Sequence, residues 1–537
     1  MSGALWVAVF CTLGIPVRVA SGQELSRGPY LQQGTPTSMV IRWRTTEPSE
    51  TRLAYGTSRD SLTMLAQSPT RTTEHKVELR GLRAQTRYYY RISASPKVLA
   101  GGDDDHYFVT SPRNADEPTR VWILGDAGSS GKLEAGNDPS QILVRDAFLK
   151  AVSPQGFNFI MMLGDNAYNT GTDVEYQRGF FDVYRSVLRS KVSWPTQGNH
   201  DASPQGYYEA YSLPTRGESG GRASGTEEYY SFDHGNAHFI SLNSQNRDPS
   251  FRASMLKWLR RDLEATTKVW TTVFWHHPPY TKGHHDSDDL NDSGGRMAWM
   301  RQNVLPILER AGVDLVFSGH SHSYERSRCI DRHYGVAQDF SESSIVQPCD
   351  AREEKGGTYT KATLSKTPHS GTIYVVSGSA GSVQGGRFDH PAMVVSEATL
   401  GSVLLAIDGN EAVITMIGAD GKVVDSFTLR KDPARPRAVQ NLIATVDEQS
   451  CHVVVSWNGA PTDSSYTIYR STSVDARGSK VGRIKGGTSH FTDSTISSST
   501  TPVWYSVRAS SARGQGPWGS TAYLAGLPAH CVGLQRR

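Results

Sequence analysis

One stretch of the chain, Phe159 to Tyr168, constrains the fold and the chemistry more than any other. Five apolar residues, Phe159 to Leu163, lead directly into Gly164 and Asp165. This pattern is typical of a buried strand that opens into a loop at its carboxyl end. Ligands bind at such strand ends in open α/β sheets, and a carboxylate with a phenol three residues later suits a hard cation. Gly-Asp-Asn also suits an ordinary turn, so the interpretation depends on the rest of the chain.

The length and composition indicate a globular protein of several domains. A chain of 537 residues is expected to form about two to four domains. The hydrophobic content of 37% and the charged content of 20% exclude wholesale disorder. The net charge of +3 does not favour a nucleic acid or an anionic membrane as partner. No stretch after the N-terminus is apolar for long enough to predict a membrane span.

The N-terminus has the pattern of a secretory signal. Residues 1–22 are predicted to be a signal peptide, because a short apolar run from Leu5 to Pro16 precedes the small residues at 19–21. A buried N-terminal strand is the alternative. We therefore expect a secreted protein, in the periplasm or outside the cell.

Four cysteines would remain after removal of the signal: Cys329, Cys349, Cys451 and Cys531. An even number of cysteines in an exported chain favours disulfides, for which three pairings exist. The simplest pairing is local, Cys329 with Cys349 and Cys451 with Cys531. Free buried thiols in a reducing compartment are the alternative.

The patterns of strands and helices divide the remaining chain into three domains. Residues 25–111 alternate with period two, which predicts a β-sandwich, and Leu82 followed by a Tyr-rich strand resembles a tyrosine corner. Residues 119–431 alternate strands with helices, which predicts a layered α/β domain. Single helices are expected at 174–188 and 297–311, and a loop insertion at 327–370. Residues 437–530 are purely β and resemble a fibronectin type III module with Trp457 in its core.

Polar clusters follow five predicted strands of the α/β domain. They contain Asp126, then Asp165 with Tyr168, then Asn199 with His200, then His276 with His277, and finally His320 with His322. Each cluster alone could be a turn or a structural histidine, but five in one domain indicate a shared site. Three Asp or Asn oxygens, three imidazoles and a phenol suit two ions better than one, because a single zinc site takes three or four protein ligands. In a two-ion site the ions lie roughly 3.5–4 Å apart, and a bridging carboxylate offsets their repulsion.

In order and spacing these motifs resemble those of the metallophosphoesterases, and most closely those of the purple acid phosphatase branch. The matching patterns are Asp-x-Gly, Gly-Asp-x-x-Tyr, Gly-Asn-His-Asp/Glu, Val-x-x-His and Gly-His-x-His. Arg27 to Leu31 and Ser323 to Ser327 also resemble that branch. The resemblance covers roughly residues 25–430. It implies a central four-layer α/β/β/α sandwich. With the C-terminal module, which lies outside the resemblance, we expect a multidomain α/β plus all-β protein whose central sandwich is flanked by two β-sandwich domains.

The resemblance also implies a role for individual residues. Asp126, Tyr168 and His322 would hold Fe³⁺; Asn199, His276 and His320 would hold a divalent ion, Zn²⁺, Mn²⁺ or Fe²⁺; and Asp165 would bridge the two. Phenolate oxygen suits Fe³⁺, and imidazole suits a late divalent ion. His200 would protonate the leaving group or contact the phosphate, with Asp201 orienting it. His285, on a substrate loop, would contact the phosphate, and His277 would support the ligands without binding a metal.

The implied function is hydrolysis of phosphate monoesters by a metal-activated hydroxide, with a small phosphorylated molecule as substrate. A phosphodiesterase or nucleotide hydrolase on the same scaffold is the nearest alternative. A surface or adhesion protein with a degenerate enzyme domain is the alternative from a different class. The C-terminal module would bind a surface or polymer, or act only as a spacer, and the sequence leaves the oligomeric state open.

Overall fold

The computed structural model of the protein describes residues 23–114, 117–134, 136–346, 349, 357–361, 366–432, 436, 439–459, 465–474, 476, 478–496, 501–511, 514–516, 518 and 521–531. The predicted signal peptide at 1–22 lies outside the described residues.

The N-terminal region is built from strands alone. They are β1 (Leu25–Gln32), β2 (Ser38–Gly56), β3 (Met64–Arg80), β4 (Arg87–Ala94), β5 (Lys97–Gly101) and β6 (Tyr107–Val109). Ile41 and Trp43 of β2 are buried, as the period-two pattern predicts. The hydroxyl of Tyr88 accepts a hydrogen bond of 3.0 Å from the N–H of Arg83, which is the contact of a tyrosine corner.

The central region alternates strands with helices. Its first half contains β7 (Thr119–Leu124), α1 (Pro139–Ala151), β8 (Phe159–Met162), α2 (Asp173–Tyr176), α3 (Arg185–Leu188), β9 (Val192–Pro195), α4 (Pro204–Ala210), β10 (Tyr230–His234) and β11 (Ala237–Ser241). Its second half contains α5 (Pro249–Ala265), β12 (Trp270–Phe274), α6 (Arg296–Asn303), α7 (Leu305–Ala311), β13 (Leu315–Ser318), β14 (Tyr324–Ser327), β15 (Thr358–Lys361), β16 (Ile373–Ser377), β17 (Met393–Glu397), β18 (Gly401–Asp408), β19 (Glu411–Gly418) and β20 (Val423–Lys431).

Two large sheets organise this region. One runs in the order β15-β20-β19-β18-β7-β8-β9-β1-β2-β4-β5, with β3 paired to β2 and β6 to β4; the other runs β10-β11-β12-β13-β16-β14-β17. The strands β7, β8 and β9 are parallel to one another, as are β11, β12, β13 and β16. Leu31 of β1 pairs with Val192 of β9, so the N-terminal strands extend the first sheet of the α/β domain.

The sheets pack face to face, with helices on their outer sides. Between the sheets, Trp194 of β9 stacks on Phe232 of β10, with ring centroids 4.0 Å apart. On the outer side of the first sheet, Phe148 of α1 stacks on Trp122 of β7 at 4.4 Å. Helix α5 contributes Met255 to the core on the outer side of the second sheet. Burial of each such side chain contributes about 1.5–3 kcal/mol, and the four-layer α/β/β/α architecture is confirmed.

Three expected elements differ in detail. The segment 174–188 is not one helix: a π-helical stretch at 177–182, containing Gly179, separates α2 from α3. The segment 297–311 divides into α6 and α7, because Pro306 in the first turn of α7 has no N–H to continue the helix. The expected insertion at 327–370 contains β15, which pairs with β20; a strand of four residues is too short to show a clear period.

The C-terminal region is also entirely β, as expected. Its strands are β21 (Gln440–Asp447), β22 (His452–Asn458), β23 (Ser465–Ser471), β24 (Ser479–Lys485), β25 (His490–Asp493), β26 (Val503–Ser511), β27 (Gly514–Gln515) and β28 (Ala522–Leu524). They form one sheet in the order β21-β22-β25 and a second in the order β24-β23-β26-β27, with β28 paired to β26. Trp457 is buried against Tyr466 in the core, with ring centroids 5.2 Å apart.

Disulfides join Cys329 to Cys349 and Cys451 to Cys531, so the local pairing is confirmed. Within the described part of the chain, no helix is both long and apolar enough to cross a membrane.

A buried histidine between two carboxylates makes the stability of the second sheet depend on pH. Nδ1 of His238 lies 2.7 Å from Asp233 Oδ1, and Nε2 lies 2.8 Å from Asp262 Oδ2. Burial alone would lower the pKa of His238, but both carboxylates oppose this and raise the pKa to about 9. The unfolded pKa is about 6.5. The stabilisation is therefore fully present below about pH 6.5 and is lost as the pH rises through about 9.

The expected result is a fall in the free energy of unfolding of the unsubstituted protein across that pH range, which the variant His238→Gln lacks. Denaturant titrations at a series of pH values, with the variant as the reference, measure the difference. Parallel pH profiles for the two proteins would contradict a charged His238.

Candidate metal centre

The carboxyl ends of buried parallel strands from both sheets meet at one edge. The residues that follow these ends are Asp126 after β7, Asp165 after β8, His276 after β12 and His320 after β13. Backbone hydrogen bonds join neighbouring ends: Asp126 N–H donates to the Gly164 carbonyl at 3.1 Å, and Gly319 N–H donates to the His276 carbonyl at 2.9 Å. The strand order thus places two of the four residues side by side in each sheet. The N–H of His320 donates to Asp126 Oδ2 at 2.7 Å, so the residues of the two sheets meet at a common site.

Three of these residues adopt a backbone conformation that non-glycine residues rarely use. The φ angles of Asp126, Asp165 and His320 are 57°, 52° and 67°, which cost about 1–3 kcal/mol each. Before Asp165, Gly164 has a φ of 92°, and a Cβ there would lie 2.5 Å from Nδ1 of His276. Only glycine allows this close approach, which explains the Gly-Asp pair that follows β8.

The first group of converging side chains comprises Asp126, Asp165, Tyr168 and His322. The phenol oxygen of Tyr168 lies 3.3 Å from Asp126 Oδ1, 3.1 Å from Asp165 Oδ2 and 3.4 Å from His322 Nε2. The hydroxyl of Ser382 lies 2.9 Å from Nδ1 of His322. This contact engages one ring nitrogen, so the other faces the three oxygens.

The second group comprises Asp165, Asn199, His276 and His320. Nε2 of His276 lies 2.9 Å from Asn199 Oδ1, 3.5 Å from Asp165 Oδ2 and 3.1 Å from His320 Nδ1. Nδ1 of His276 donates to the Leu163 carbonyl at 2.9 Å. This hydrogen bond fixes the tautomer and directs the lone pair of Nε2 into the group.

Asp165 belongs to both groups. Its Oδ1 accepts a hydrogen bond of 2.8 Å from the backbone N–H of His200. Its Oδ2 lies between Tyr168 of the first group and His276 of the second, at 3.1 and 3.5 Å. The seven side chains predicted as metal ligands therefore lie together, arranged as two sets around one shared carboxylate.

The electrostatics of the centre suit cations. Asp126 and Asp165 are 1% exposed. Burial raises the pKa of Asp126 to about 8, with the charge of Asp165 adding to this effect and that of His276 opposing it. Burial and the same two carboxylates raise the pKa of Tyr168 well above its ordinary value. Two metal ions would favour the deprotonated forms of all three groups, and carboxylate, amide, phenol and imidazole donors fit such a pair.

His200 lies at the edge of the first group. Its ring centroid is 4.4 Å from that of Tyr168, and its Nδ1 lies 2.6 Å from the carbonyl oxygen of Asn169. The Nδ1–H donates to this carbonyl, so Nε2 takes no part in this hydrogen bond. Asp201 does not orient this ring: its carboxylate accepts hydrogen bonds from the Asn166 and Gly198 backbone and from Tyr176. Asp201 therefore supports the loops behind the centre.

His285 lies against the second group. Its ring stacks on that of His320 at a centroid distance of 3.8 Å and an interplanar angle of 13°. Its neighbour His284 lies 5.2 Å from His322, ring centroid to ring centroid. His277 is buried and bonded through Nδ1 to Ser244 at 2.8 Å. Two consecutive histidines of this loop thus contact one histidine of each group.

Two residues of this loop, Asp292 and Ser293, were missed by the sequence analysis. Oδ1 of Asp292 lies 2.8 Å from His285 Nδ1 and 2.7 Å from the hydroxyl of Ser293. That hydroxyl lies 2.6 Å from Nε2 of His320. One carboxylate therefore positions both the stacked histidine and, through Ser293, a side chain of the second group. The polar, Gly-rich sequence around them has no period that would have indicated these contacts.

The contact between Ser293 and His320 leads to a test of metal binding. Ser293→Ala should weaken binding of a divalent ion at the second group by about 10–100-fold, as is usual when a partner behind a ligand is lost. Titration with a competing chelator measures this affinity. Because Ser293 has a φ of 53°, Ser293→Gly serves as a strain-free second variant, and the exposed Ser341→Ala is the control. Unchanged affinity in both Ser293 variants would show that the hydrogen bond does not hold His320.

Comparison with known proteins identifies two domains of the chain. Residues 119–324 match the calcineurin-like phosphoesterase family, and residues 28–113 match the N-terminal domain of purple acid phosphatases. The first match contains Asp126, Asp165, His276 and His320; the second covers most of β1 to β6. The chain therefore contains a calcineurin-like phosphoesterase domain and a domain of the kind found at the N-terminus of purple acid phosphatases.

Two relatives of similar sequence are named as acid phosphatases. Purple acid phosphatase 23 of Arabidopsis thaliana is 27% identical over 290 residues, which cover 49% of this chain and 59% of the relative. Acid phosphatase type 7 of Mus musculus is 26% identical over 345 residues, which cover 59% of this chain and 73% of the relative. The chain thus matches less than two thirds of the length of the plant relative.

A solved structure supports the fold. The purple acid phosphatase isolated from yellow lupin seeds superimposes with a TM-score of 0.59 at 16% identity, covering 76% of this chain and 75% of that one. At this identity the likeness concerns the architecture alone.

Proposed function

We propose that the protein is a binuclear metallophosphatase that hydrolyses phosphate monoesters. The observation that carries this proposal is the convergence of seven side chains into two groups that share Oδ2 of Asp165. A shared carboxylate between two donor sets is what a pair of closely spaced cations requires. The domain matches and the named relatives favour the acid phosphatase class.

We assign the ions by the chemistry of the donors. Asp126, Tyr168 and His322 are assigned to Fe³⁺, because phenolate is a hard oxygen ligand. Asn199, His276 and His320 are assigned to a divalent ion, Zn²⁺, Mn²⁺ or Fe²⁺, and Asp165 is assigned as the bridge. When bound, such a pair lowers the pKa of a coordinated water and neutralises phosphoryl oxygens.

The residues around the centre supply the remaining functions. His200, held at Nδ1 by the carbonyl of Asn169, would present Nε2 to the leaving oxygen and donate a proton to it. His285, held at Nδ1 by Asp292, would present its other nitrogen to a phosphoryl oxygen. Both rings are oriented from behind, as positioned acid–base groups require.

Parallel hydrolysis of an aryl phosphate monoester and an aryl phosphate diester, from acidic to neutral pH, tests the proposal. We expect metal-dependent activity that favours the monoester. A preference for the diester would support the phosphodiesterase alternative. Absence of activity on both substrates in the metal-loaded protein would favour a non-catalytic surface or adhesion protein.

The proposed Fe³⁺ is tested through colour. A phenolate bound to Fe³⁺ absorbs visible light, so Tyr168→Phe should remove the visible absorption band of the metal-loaded protein. Absorption spectra with metal content per chain measure this, and Tyr523→Phe, in an exposed residue of β28, is the control. A band that survives in Tyr168→Phe would exclude the assignment of Tyr168.

We also propose that the protein is exported. The support is the signal-like pattern at 1–22 and the pairing of the four later cysteines as two disulfides, which persist in oxidising compartments. The C-terminal β region is proposed as a module that binds a surface or polymer. Detection of the mature N-terminus after residue 22 in the extracellular fraction tests the export.

A further inference from the structure

Three arginines lie together beside the loop that carries His285. Arg247 precedes α5, Arg252 lies in its first turn, and Arg296 is the first residue of α6. We call these three residues the arginine cluster. Arg247 and Arg296 lie next to Gly294, and none of the three belongs to either group of the metal centre.

Neutral groups orient two of the arginines. Nε of Arg252 donates to the Asn246 carbonyl at 3.1 Å, and the Arg252 guanidinium lies 4.0 Å over the ring of Trp299. Nε of Arg296 donates to the Gln245 carbonyl at 3.0 Å. Carbonyl oxygens and an aromatic face fix the guanidinium groups without neutralising them.

The charge of the cluster has no ion-pair partner in the described part of the chain. Among the described residues, no carboxylate oxygen lies within 4.0 Å of the guanidinium nitrogens of Arg247, Arg252 or Arg296. Carboxylates in the same region are engaged elsewhere. Asp248 accepts from the N–H of Phe251 at 2.8 Å, and Glu228 accepts from two amide side chains at 3.2 Å. Burial and neighbouring positive charges lower the pKa of both Arg252 and Arg296.

The cluster is directly connected to the metal centre. Nη1 of Arg296 donates to the Ser293 carbonyl at 2.7 Å, and the hydroxyl of the same serine lies 2.6 Å from Nε2 of His320. Nη1 of Arg247 lies 3.0 Å from the position that a Cβ at Gly294 would take. A single residue, Ser293, therefore separates the guanidinium of Arg296 from a side chain of the second group.

A cleft beside the cluster has room for a ligand group. Its volume is about 290 Å³, and it is lined by Arg247 and Arg252 together with the apolar side chains of Pro249, Ala253, Leu256 and Trp299. Guanidinium groups bind phosphate and carboxylate through pairs of parallel hydrogen bonds. Arg247 is exposed and makes no hydrogen bond to any described residue, so its donors are available to such a ligand.

We propose that the arginine cluster binds a second anionic group of the substrate. The preferred substrates are then small phosphate esters that carry a further phosphate or carboxylate, with one phosphate at the metal centre and the other anion at the cluster. This inference rests on the proposed phosphatase function and adds the substrate class to it.

Two esters that share a sugar provide the test, glucose 6-phosphate and glucose 1,6-bisphosphate. The full-length, metal-loaded protein is compared with Arg247→Gln, Arg247→Lys and the control Arg52→Gln, which changes an exposed arginine of β2. In Arg247→Gln the KM for the bisphosphate should rise about tenfold, with kcat and the KM for the monophosphate unchanged. Arg247→Lys keeps the charge and should recover part of the loss, and Arg52→Gln should behave as the unsubstituted protein.

Equal KM changes for both esters, no change for either, or a fall in kcat alone would overturn the inference, because each would show that Arg247 does not distinguish the second anion. If the unsubstituted protein hydrolyses neither of these esters nor an aryl phosphate monoester, the proposed phosphatase function fails separately. Calorimetric titration with glucose 1,6-bisphosphate then decides the role of the cluster. A tenfold higher Kd in Arg247→Gln supports it, and an unchanged Kd overturns it.

Discussion

Replacing Asp165 with asparagine is expected to lower kcat for an aryl phosphate monoester by about 10³-fold or more. Oδ2 of Asp165 is the oxygen that both donor groups share, at 3.1 Å from the phenol of Tyr168 and 3.5 Å from His276. Asparagine has the same shape, and its carbonyl can still accept the hydrogen bond from His200 N–H. An amide NH₂ would then replace Oδ2, and it cannot bridge two cations.

Metal content per chain, measured with kcat, separates loss of the bridge from misfolding. We expect Asp165→Asn to bind fewer than two ions per chain while keeping the circular dichroism of the unsubstituted protein. Asp408→Asn, at the exposed end of β18, is the matched control and should retain both ions and full activity. A variant at Asp165 that keeps two ions and more than about a tenth of the activity would exclude the bridging assignment, since loss of such a charge costs several kcal/mol.

The centre could be predicted because its chemistry lies directly after buried strands. Apolar runs such as Phe159 to Leu163 mark the strands, and the next one or two residues are the ones that reach the site. Within each sheet, parallel strands bring their carboxyl ends to the same edge. The packing of the two sheets then brings Leu163 and His276, which are 113 residues apart in the chain, into contact. The order of the motifs along the chain therefore predicts which side chains meet at the site.

The continuity of the first sheet could not be predicted. A single pairing, Leu31 with Val192, joins the N-terminal strands to the α/β domain. The hydrophobic period of β1 shows which face is buried but not which strand lies beside it, because pairing partners leave no local signal. The sequence therefore indicated two separate units where the structure has one sheet running through both.

The residues that contact the proposed metal ligands from the outside could not be predicted from the sequence either. Ser293 contacts His320 across 27 positions, and Arg296 contacts Gln245 across 51. Both contacts depend on the path of an irregular loop, whereas helices and strands have fixed periods. A sequence pattern thus identifies side chains at the ends of strands, and it misses side chains that reach the site from an irregular loop.

Replacing Asp314 with alanine is expected to lower the free energy of unfolding by about 3–5 kcal/mol. Asp314 is completely buried, and Lys361 and Lys431 are each 2% exposed. Its Oδ1 lies 2.9 Å from Nζ of Lys361, and its Oδ2 lies 2.8 Å from Nζ of Lys431. The variant would leave two ammonium groups buried without a counter-charge, which costs far more than loss of an exposed ion pair.

The position of Asp314 also separates stability from catalysis. Asp314 immediately precedes β13, whose opposite end leads to His320, whereas Lys361 and Lys431 end β15 and β20 of the other sheet. The ion pairs therefore join the two sheets at the edge away from the metal centre. Denaturant unfolding of Asp314→Ala, with Asp408→Ala as the exposed control, measures the loss, and kcat well below the unfolding temperature should stay unchanged. Burial lowers the pKa of Lys431 to about 8, and Asp314 opposes this effect. A loss under about 1 kcal/mol, the value of an exposed ion pair, would therefore mean that the two lysines are neutral or hydrated in the folded protein and would contradict the prediction.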